Sequence, residues 1–229
     1  GNNLSALPAE LGQLTKLTAL GITGNDIQSL PAEMRNLSGM QNLIWESTTD
    51  STKDISASFE VLSQISGLET LHLILSKAVH LPPEIGTLQN INELVLECSS
   101  LQSLPDEFGN IANLEKLELR SCNNLTDVNA LTQLSKLSML QMETSKKVKP
   151  YPRPMNMETR GEVDDYFRRL LKASGKELPD ILKKKESGGD RATAAKLKKF
   201  LKQRDYDAID QGIELARSLS DPLVYESLL

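Results

Sequence analysis

The feature that most constrains the fold of this chain is a spacing of 23 residues between recurring apolar positions. Within each unit, two aliphatic residues alternate as in a short strand, and the spacing of a short helix follows. A strand and a short helix in so few residues cannot bury their apolar sides alone, so the units must stack as a solenoid. The unit that begins at Leu37 is longer, at 28 residues. The units begin at Leu14, Leu37, Ile65, Leu88, Ile111 and Leu134.

The spacing within the units is LxxLxLxxN/CxL, and residues 81–88 read LPPEIGTL. This pattern closely resembles the leucine-rich repeat family, in its bacterial and plant-like intracellular form, over residues 1 to about 147. The resemblance implies an α/β fold, a right-handed solenoid with a parallel concave sheet and short convex helices or 3₁₀ turns. It also implies a ladder of hydrogen bonds between coils, less regular here because most positions are not asparagine. The ladder positions are Asn2, Asn25, Thr48, Ser76, Ser99, Cys122 and Ser145.

Three regions are predicted along the chain. They are the leucine-rich repeat solenoid at 1–147, a proline-rich exit with a capping helix at 148–176, and a small helical region at 177–229. Alternating prolines from Pro150 to Pro154 force an extended path and end the sheet. An amphipathic helix expected from Glu158 to Leu171 would cover the last coil, and it loosely resembles the C-terminal cap of bacterial relatives, including those of the Roco family. The C-terminal region is therefore expected to be all α.

The longer unit carries a polar segment, Thr48–Asp54, directly after its strand. Insertions in solenoids map to loops at one rim. The segment is therefore expected to be either a contact loop beside the concave face or a tolerated surface insertion. Trp45, in the preceding strand, takes the position that Leu73 and Leu96 hold in later units, so it is expected to point into the core.

Two cysteines are too few for a disulfide framework, and no cysteine-rich cap is present. Cys98 and Cys122 are expected to be buried structural thiols, and the cytoplasm is the expected compartment. The sequence contains no run of about 18 apolar residues, so no membrane span is predicted. Because the chain opens at Gly1 in the middle of a repeat, we expect it to be part of a larger bacterial signalling or scaffolding protein, or its first coil to be shielded by a partner.

The sequence offers little catalytic chemistry. His72 and His80 lack the neighbouring ligands of a metal site, and no phosphate-binding glycine motif is present. Some bacterial leucine-rich repeat effectors carry a catalytic cysteine in a ubiquitin-ligase domain, but both cysteines of this chain lie within the repeats. We therefore expect no enzymatic activity, no cofactor and no metal.

The informative surface is the concave face, defined as the residues on either side of the inward strand leucines. Its acidic residues, with an apolar column formed by Ile44, Ile74 and Val95, favour a protein partner that presents a basic or amphipathic segment. The alternative is a solvated face that keeps the solenoid soluble. The predicted partner-binding residues are Ile44, Glu46, His72, Ile74, Glu93, Val95, Glu97, Glu118, Arg120, Gln141 and Glu143.

Charged residues are distributed unevenly along the chain, and this distribution suggests a second possible function. Residues 1–145 contain 7 Lys and Arg against 17 Asp and Glu, whereas residues 146–205 contain 18 against 9. The basic tail could bind nucleic acid or an anionic membrane, lie against the acidic solenoid, or form a solvated helix face. Aromatic residues are sparse in the tail, which makes nucleic acid the less favoured partner. Its basic residues are Lys183, Lys184, Lys185, Lys196, Lys198, Lys199, Lys202 and Arg204.

Overall fold

The structure, a computed structural model, describes residues 2, 4–48, 52–144, 147–150, 155–178 and 182. It contains two compact units, Gly1–Glu158 and Thr159–Leu229. The first unit holds the stacked repeats, and the described part of the second unit is a single helix with the residues that follow it. The predicted division at residues 147 and 176 stays a prediction.

The first unit is built on one seven-stranded sheet in which each strand lies beside its neighbour in sequence. The first six strands are parallel, and the last pairs antiparallel with the sixth. Residues Thr70, Glu93, Lys116 and Met139 pair in turn, so one coil of 23 residues advances the chain by one strand. The strands are β1 (Ala19–Ile22), β2 (Asn42–Ser47), β3 (Thr70–Leu75), β4 (Glu93–Glu97), β5 (Lys116–Cys122), β6 (Met139–Thr144) and β7 (Asn156–Met157).

Short 3₁₀ helices on the opposite side of the coils return the chain to the sheet, as expected from the sequence. In four of them an extended proline stands immediately before the first helical residue, where its fixed φ suits the turn. Coils approach closely here, since a Cβ on Gly86 would meet the backbone carbonyl of Glu107 in the next coil. The 3₁₀ helices are Ala9–Gln13, Ala32–Asn36, Pro83–Thr87, Asp106–Asn110 and Asn129–Gln133.

The longer unit contains an α-helix, which the sequence analysis did not predict, whereas residues 49–51 of the predicted rim loop Thr48–Asp54 lie outside the described residues. Helix α1, Thr52–Ser63, replaces the 3₁₀ turn of the third coil and buries Ile55, Phe59 and Leu62. Buried Ser58 ties α1 to the preceding coil, because its Oγ accepts a hydrogen bond from the Leu30 amide at 3.0 Å. This helix is therefore part of the core on the side away from the sheet face.

The core consists of layers in which equivalent leucines of successive coils lie one above another. Leu71, Leu94, Leu117 and Leu140 are fully buried and paired in register. Trp45 is also fully buried, which confirms its predicted place, and its indole Nε1 donates to the carbonyl of Ile27 at 3.4 Å. Burying one such side chain contributes about 1.5–3 kcal/mol, so the repeated layers are the main source of stability.

The predicted ladder is wrong in its register for the third to fifth coils. The strands extend their two-residue alternation by one more step, so Ser47, Leu75 and Cys98 turn inward, each one residue before the predicted position. Among the described ladder positions, Cys122 alone is buried, because β5 has a register shift after Leu119. The inward polar groups still link coils: Sγ of Cys98 donates to the carbonyl of Leu75 at 2.9 Å, and Sγ of Cys122 donates to that of Leu96 at 3.7 Å.

The first coil is the least buried of the solenoid. Leu14 is 52% exposed and Leu4 is 47% exposed, whereas Leu37, Leu88 and Leu134, at the position of Leu14 in later coils, are almost completely buried.

The second unit begins with helix α2, Arg160–Ala173, two residues later than predicted. A capping box fixes its start, with the Thr159 hydroxyl accepting from the Glu162 amide and the Glu162 carboxylate accepting from the Thr159 amide. The predicted apolar side is confirmed, since Val163, Tyr166, Phe167, Leu170 and Leu171 are all buried. Among the described helices, none combines the length and apolar character needed to cross a membrane.

A leucine deletion in the middle of the stack tests the assigned layers. Leu117→Ala should lower the free energy of unfolding by about 2–5 kcal/mol, because the cavity lies between two neighbouring coils. The control Asn42→Ala changes an exposed side chain of β2 and should stay within about 0.5 kcal/mol. Urea unfolding followed by circular dichroism measures both, and equal midpoints for the two variants would contradict the assignment of the layers.

Candidate partner-binding face

The outward side chains of β1 to β6 lie in rows that cross the sheet. The central row follows the strand pairing from Gly21 through Ile44, His72, Val95 and Glu118 to Gln141. A second row contains Glu46, Ile74, Glu97 and Arg120 in register. Neighbouring members of a row are about 4.8 Å apart and the rows are about 7 Å apart, so the face is an array of fixed positions.

All eleven predicted partner-binding residues project from the same face of the sheet. Ile44 and Glu46 lie on β2, His72 and Ile74 on β3, and three residues on β4. The others lie on β5 and β6. Their common side follows from the alternation of strand side chains, whereas their exposure differs widely and could not be read from that pattern. That they bind a partner stays a prediction. The three residues on β4 are Glu93, Val95 and Glu97.

A network of ion pairs occupies the centre of the face. Nζ of Lys116 lies 2.8 Å from Oε1 of Glu93 and 3.0 Å from Oε1 of Glu118. Arg120 binds the second oxygen of Glu118 through both Nε, at 2.9 Å, and a terminal nitrogen, at 2.6 Å. Both cations of the face therefore already serve carboxylates of the same face.

Glu118 is the middle of this network and is only 7% exposed. Burial alone would raise the pKa of its carboxyl, but hydrogen bonds from Lys116 and Arg120 outweigh burial and hold that pKa below its usual range. The same contacts raise the pKa of Lys116, chiefly through Glu93, and that of Arg120, chiefly through Glu118. Glu118 was predicted to meet a partner, but its carboxylate is engaged on both sides by its own strand.

The predicted apolar column is not continuous. Ile44 and Val95 share the central row but are separated by His72, and Ile74 belongs to the neighbouring row. Val95 is only 7% exposed, whereas Ile44 is 41% exposed. The accessible apolar surface of the face is therefore at Ile44 on β2 and, at the other end, at Met139 on β6, which is 38% exposed, and Val95 contributes little to it.

Gly21 leaves an open position beside Ile44 in the central row. A Cβ placed on Gly21 would meet no atom within 4 Å, so the space above it is free. The outward residues around it, Ala19, Asn42 and Thr70, are small or uncharged. The β1 to β3 part of the face is therefore a low, uncharged area that ends at the carboxylates of the second row.

His72 stands between this uncharged area and the ion pairs. Its Nε2 is buried and lies 3.4 Å from Oε1 of Glu97, yet no hydrogen bond reaches that nitrogen within the described part of the chain. A single imidazole beside one carboxylate lacks the further ligands of a zinc site. The described residues contain no group of three metal-ligating side chains.

The last strand closes the C-terminal end of the face, and sequence reasoning missed it. A shallow groove of about 200 Å³ lies where β7 folds back onto β6. Asn156 and Glu158 border this groove, and the amide of Asn156 donates to the Glu158 carboxylate at 2.9 Å. Strand β7 follows no repeat spacing, so the sequence carried no signal for it.

The two cysteines lie beneath the face and not on it. Both are free and fully buried, as predicted. Burial raises the pKa of Cys98 to about 12 and that of Cys122 to about 11. Since the thiolate is the reactive species, these thiols are inert at neutral pH in the folded chain.

Sequence comparisons give partial matches to longer proteins. No family model matches the chain. The rice (Oryza sativa subsp. japonica) plant intracellular Ras-group-related LRR protein 8 is 30% identical over 107 residues, which are 46% of this chain and 28% of that protein. An adenylate cyclase of Podospora anserina is 30% identical over 106 residues, 46% of this chain and 5% of that enzyme. The chain thus spans less than a third of either curated relative.

Among solved structures, an LRR protein of Leptospira interrogans is 22% identical to this chain. The similarity covers 78% of this chain and 52% of that one, with a TM-score of 0.38.

The network around Glu118 predicts a pH-dependent contribution to stability. Because the pKa of Glu118 is lowered on folding, its stabilisation is present above the ordinary value of 4.5 and is lost as the pH falls through the lower folded value. Glu118→Gln should cost about 1 kcal/mol at pH 7, a small figure because Lys116 and Arg120 remain partly hydrated. Urea unfolding measures the cost, and the difference from the parent should shrink as the pH falls below 4.5.

Glu143→Gln is the matched control, since Glu143 is an exposed carboxylate on the same face. It should change stability by less than about 0.5 kcal/mol at any pH. A Glu118→Gln deficit that stays constant from neutral to acidic pH would show that the carboxylate charge is not its source.

Proposed function

Since the chain is a leucine-rich repeat protein, we propose that it is a non-catalytic module that binds a protein partner on its concave face. The observation that carries the proposal is the accessible apolar area of β2 beside β1. There Ile44 is 41% exposed on a sheet face and Gly21 leaves the neighbouring position bare. A folded sheet gains nothing by exposing an isoleucine to water next to an empty position, whereas a partner side chain can cover both.

The layered core supports this proposal because it fixes the backbone from which the face projects. Outward residues of the middle strands are flanked along the strand by buried apolar residues, such as Leu43 and Trp45 on either side of Ile44. A partner therefore meets side chains that are already in position and loses little free energy in ordering them.

We further propose that the module has a scaffolding or signalling role in the cytoplasm. A surface that recognises a partner without changing it suits such a role. Two buried, unpaired thiols in adjacent coils favour a reducing compartment, because disulfides are typical of proteins from oxidising ones.

The alternative assigned to the basic tail, binding of nucleic acid or anionic membrane, concerns residues outside the described part of the chain. Lys183 to Arg204 all fall there. Binding through the basic tail is therefore predicted from its charge alone.

Gly21→Arg is the variant that tests the concave face directly. The space above Gly21 is open, so an arginine fits without disturbing the core, but it projects into the area that a partner would cover. A partner captured from a lysate of the source organism should lose at least about tenfold in affinity for this variant. Isothermal titration calorimetry measures the affinity, and thermal unfolding checks that the fold is retained.

Ala32→Arg is the matched control, because it adds the same side chain to an exposed position of a 3₁₀ helix away from the sheet. Reversal of the tail charges at Lys198 and Lys199 to glutamate tests the competing reading. Neither change should alter the affinity. Binding that survives Gly21→Arg and disappears with the tail reversal would contradict the proposed function.

A further inference from the structure

The charges of the concave face restrict the chemistry of its partner. The face carries five carboxylates, on Glu46, Glu93, Glu97, Glu118 and Glu143, and two cations, Lys116 and Arg120. Both cations are engaged with carboxylates of the face at 2.6–3.0 Å. An anionic partner would meet excess negative charge and would have to break these pairs to reach a cation, whereas a cationic partner meets carboxylates directly.

Glu46 and Glu97 are the carboxylates best placed to receive that cation. They flank Ile74 in register on β2 and β4, so they stand on either side of one position of the second row. Glu97 lies 3.4 Å from Nε2 of His72 and 3.8 Å from the guanidinium of Arg120, and both distances are longer than a direct charge-assisted hydrogen bond. The carboxylate of Glu46 accepts a hydrogen bond from the Gly24 amide at 2.6 Å, and this bond holds the carboxylate toward the end of β1.

The accessible apolar area lies one row away along the same strands. Ile44 precedes Glu46 by two residues on β2, so the position over Ile44 is about 7 Å from Glu46, whereas Glu97 lies two strands further along the second row. Residues i and i+2 of an extended peptide are separated by the same distance and point to the same side. A strand-like segment lying along β2 can therefore place its apolar side chain over Ile44 and its basic residue beside Glu46, and a long basic side chain can extend from there toward Glu97.

We infer that the partner presents an extended segment in which a large apolar residue and a lysine or arginine are separated by one residue. The apolar side chain covers Ile44 beside the bare position at Gly21, and the cation pairs with Glu46 and extends over Ile74 toward Glu97. This inference rests on the proposed function and specifies its ligand. Glu118, Lys116 and Arg120 have a positioning role in this arrangement. The ion pairs of Glu118 with Lys116 and Arg120 hold the two cations of the face away from the cation of the partner.

Selection of phage-displayed random 12-residue peptides against the purified full chain tests the inference. The recovered sequences should share a large apolar residue and a basic residue at positions i and i+2, in either order. Calorimetry on the synthesised peptides should give a roughly tenfold weaker affinity for Glu46→Gln combined with Glu97→Gln, and the remaining binding should depend less on salt. Glu143→Gln, on the same face but away from this position, should leave the affinity unchanged.

The outcomes separate the ligand chemistry from the site. Peptides that lose binding to Gly21→Arg but carry no basic residue, or an acidic one, would overturn the inference and leave the concave face as the binding site. Peptides that bind Gly21→Arg as well as the parent would contradict the concave site itself. Recovery of no binding peptide would also overturn the inference, because it requires a short linear segment to be sufficient.

Discussion

Stacking of apolar layers between coils is the interaction on which the rest of this structure depends. No coil can bury its own leucines, so Leu94 is covered only because Leu71 lies on one side of it and Leu117 on the other. The parallel sheet, the 3₁₀ turns and helix α1 all serve to bring the next layer into register.

The same stacking produces the candidate binding face. Because each strand presents every second side chain outward, the core leucines and the outward residues are fixed by one backbone. At the centre of the face, Lys116 and Arg120 form ion pairs with Glu118. At β1 to β3 the face has an uncharged area, and there Ile44 and Gly21 are exposed to solvent. Recognition is therefore proposed where the face is least engaged with itself.

The sequence predicted what depends on spacing and missed what depends on neighbours. The repeat pattern predicted the parallel sheet, the buried place of Trp45 and the face from which all eleven site residues project. It could not predict that Val95 and Glu118 are nearly buried, since lateral contacts between strands decide exposure. Helix α1 was not predicted, although it buries Ile55 and Phe59 in the core, and β7 lies outside any repeat.

Thiol reactivity tests most directly whether the stacked coils form one cooperative body that holds the face in place. Cys98 and Cys122 lie in adjacent central coils, fully buried, with pKa values of about 12 and 11. Alkylation at pH 8 across a urea series, with each site followed by mass spectrometry, should show both thiols protected in the folded chain. Both should become reactive at the urea midpoint measured by circular dichroism. Rapid labelling of either cysteine without denaturant, or at separate midpoints, would contradict the account.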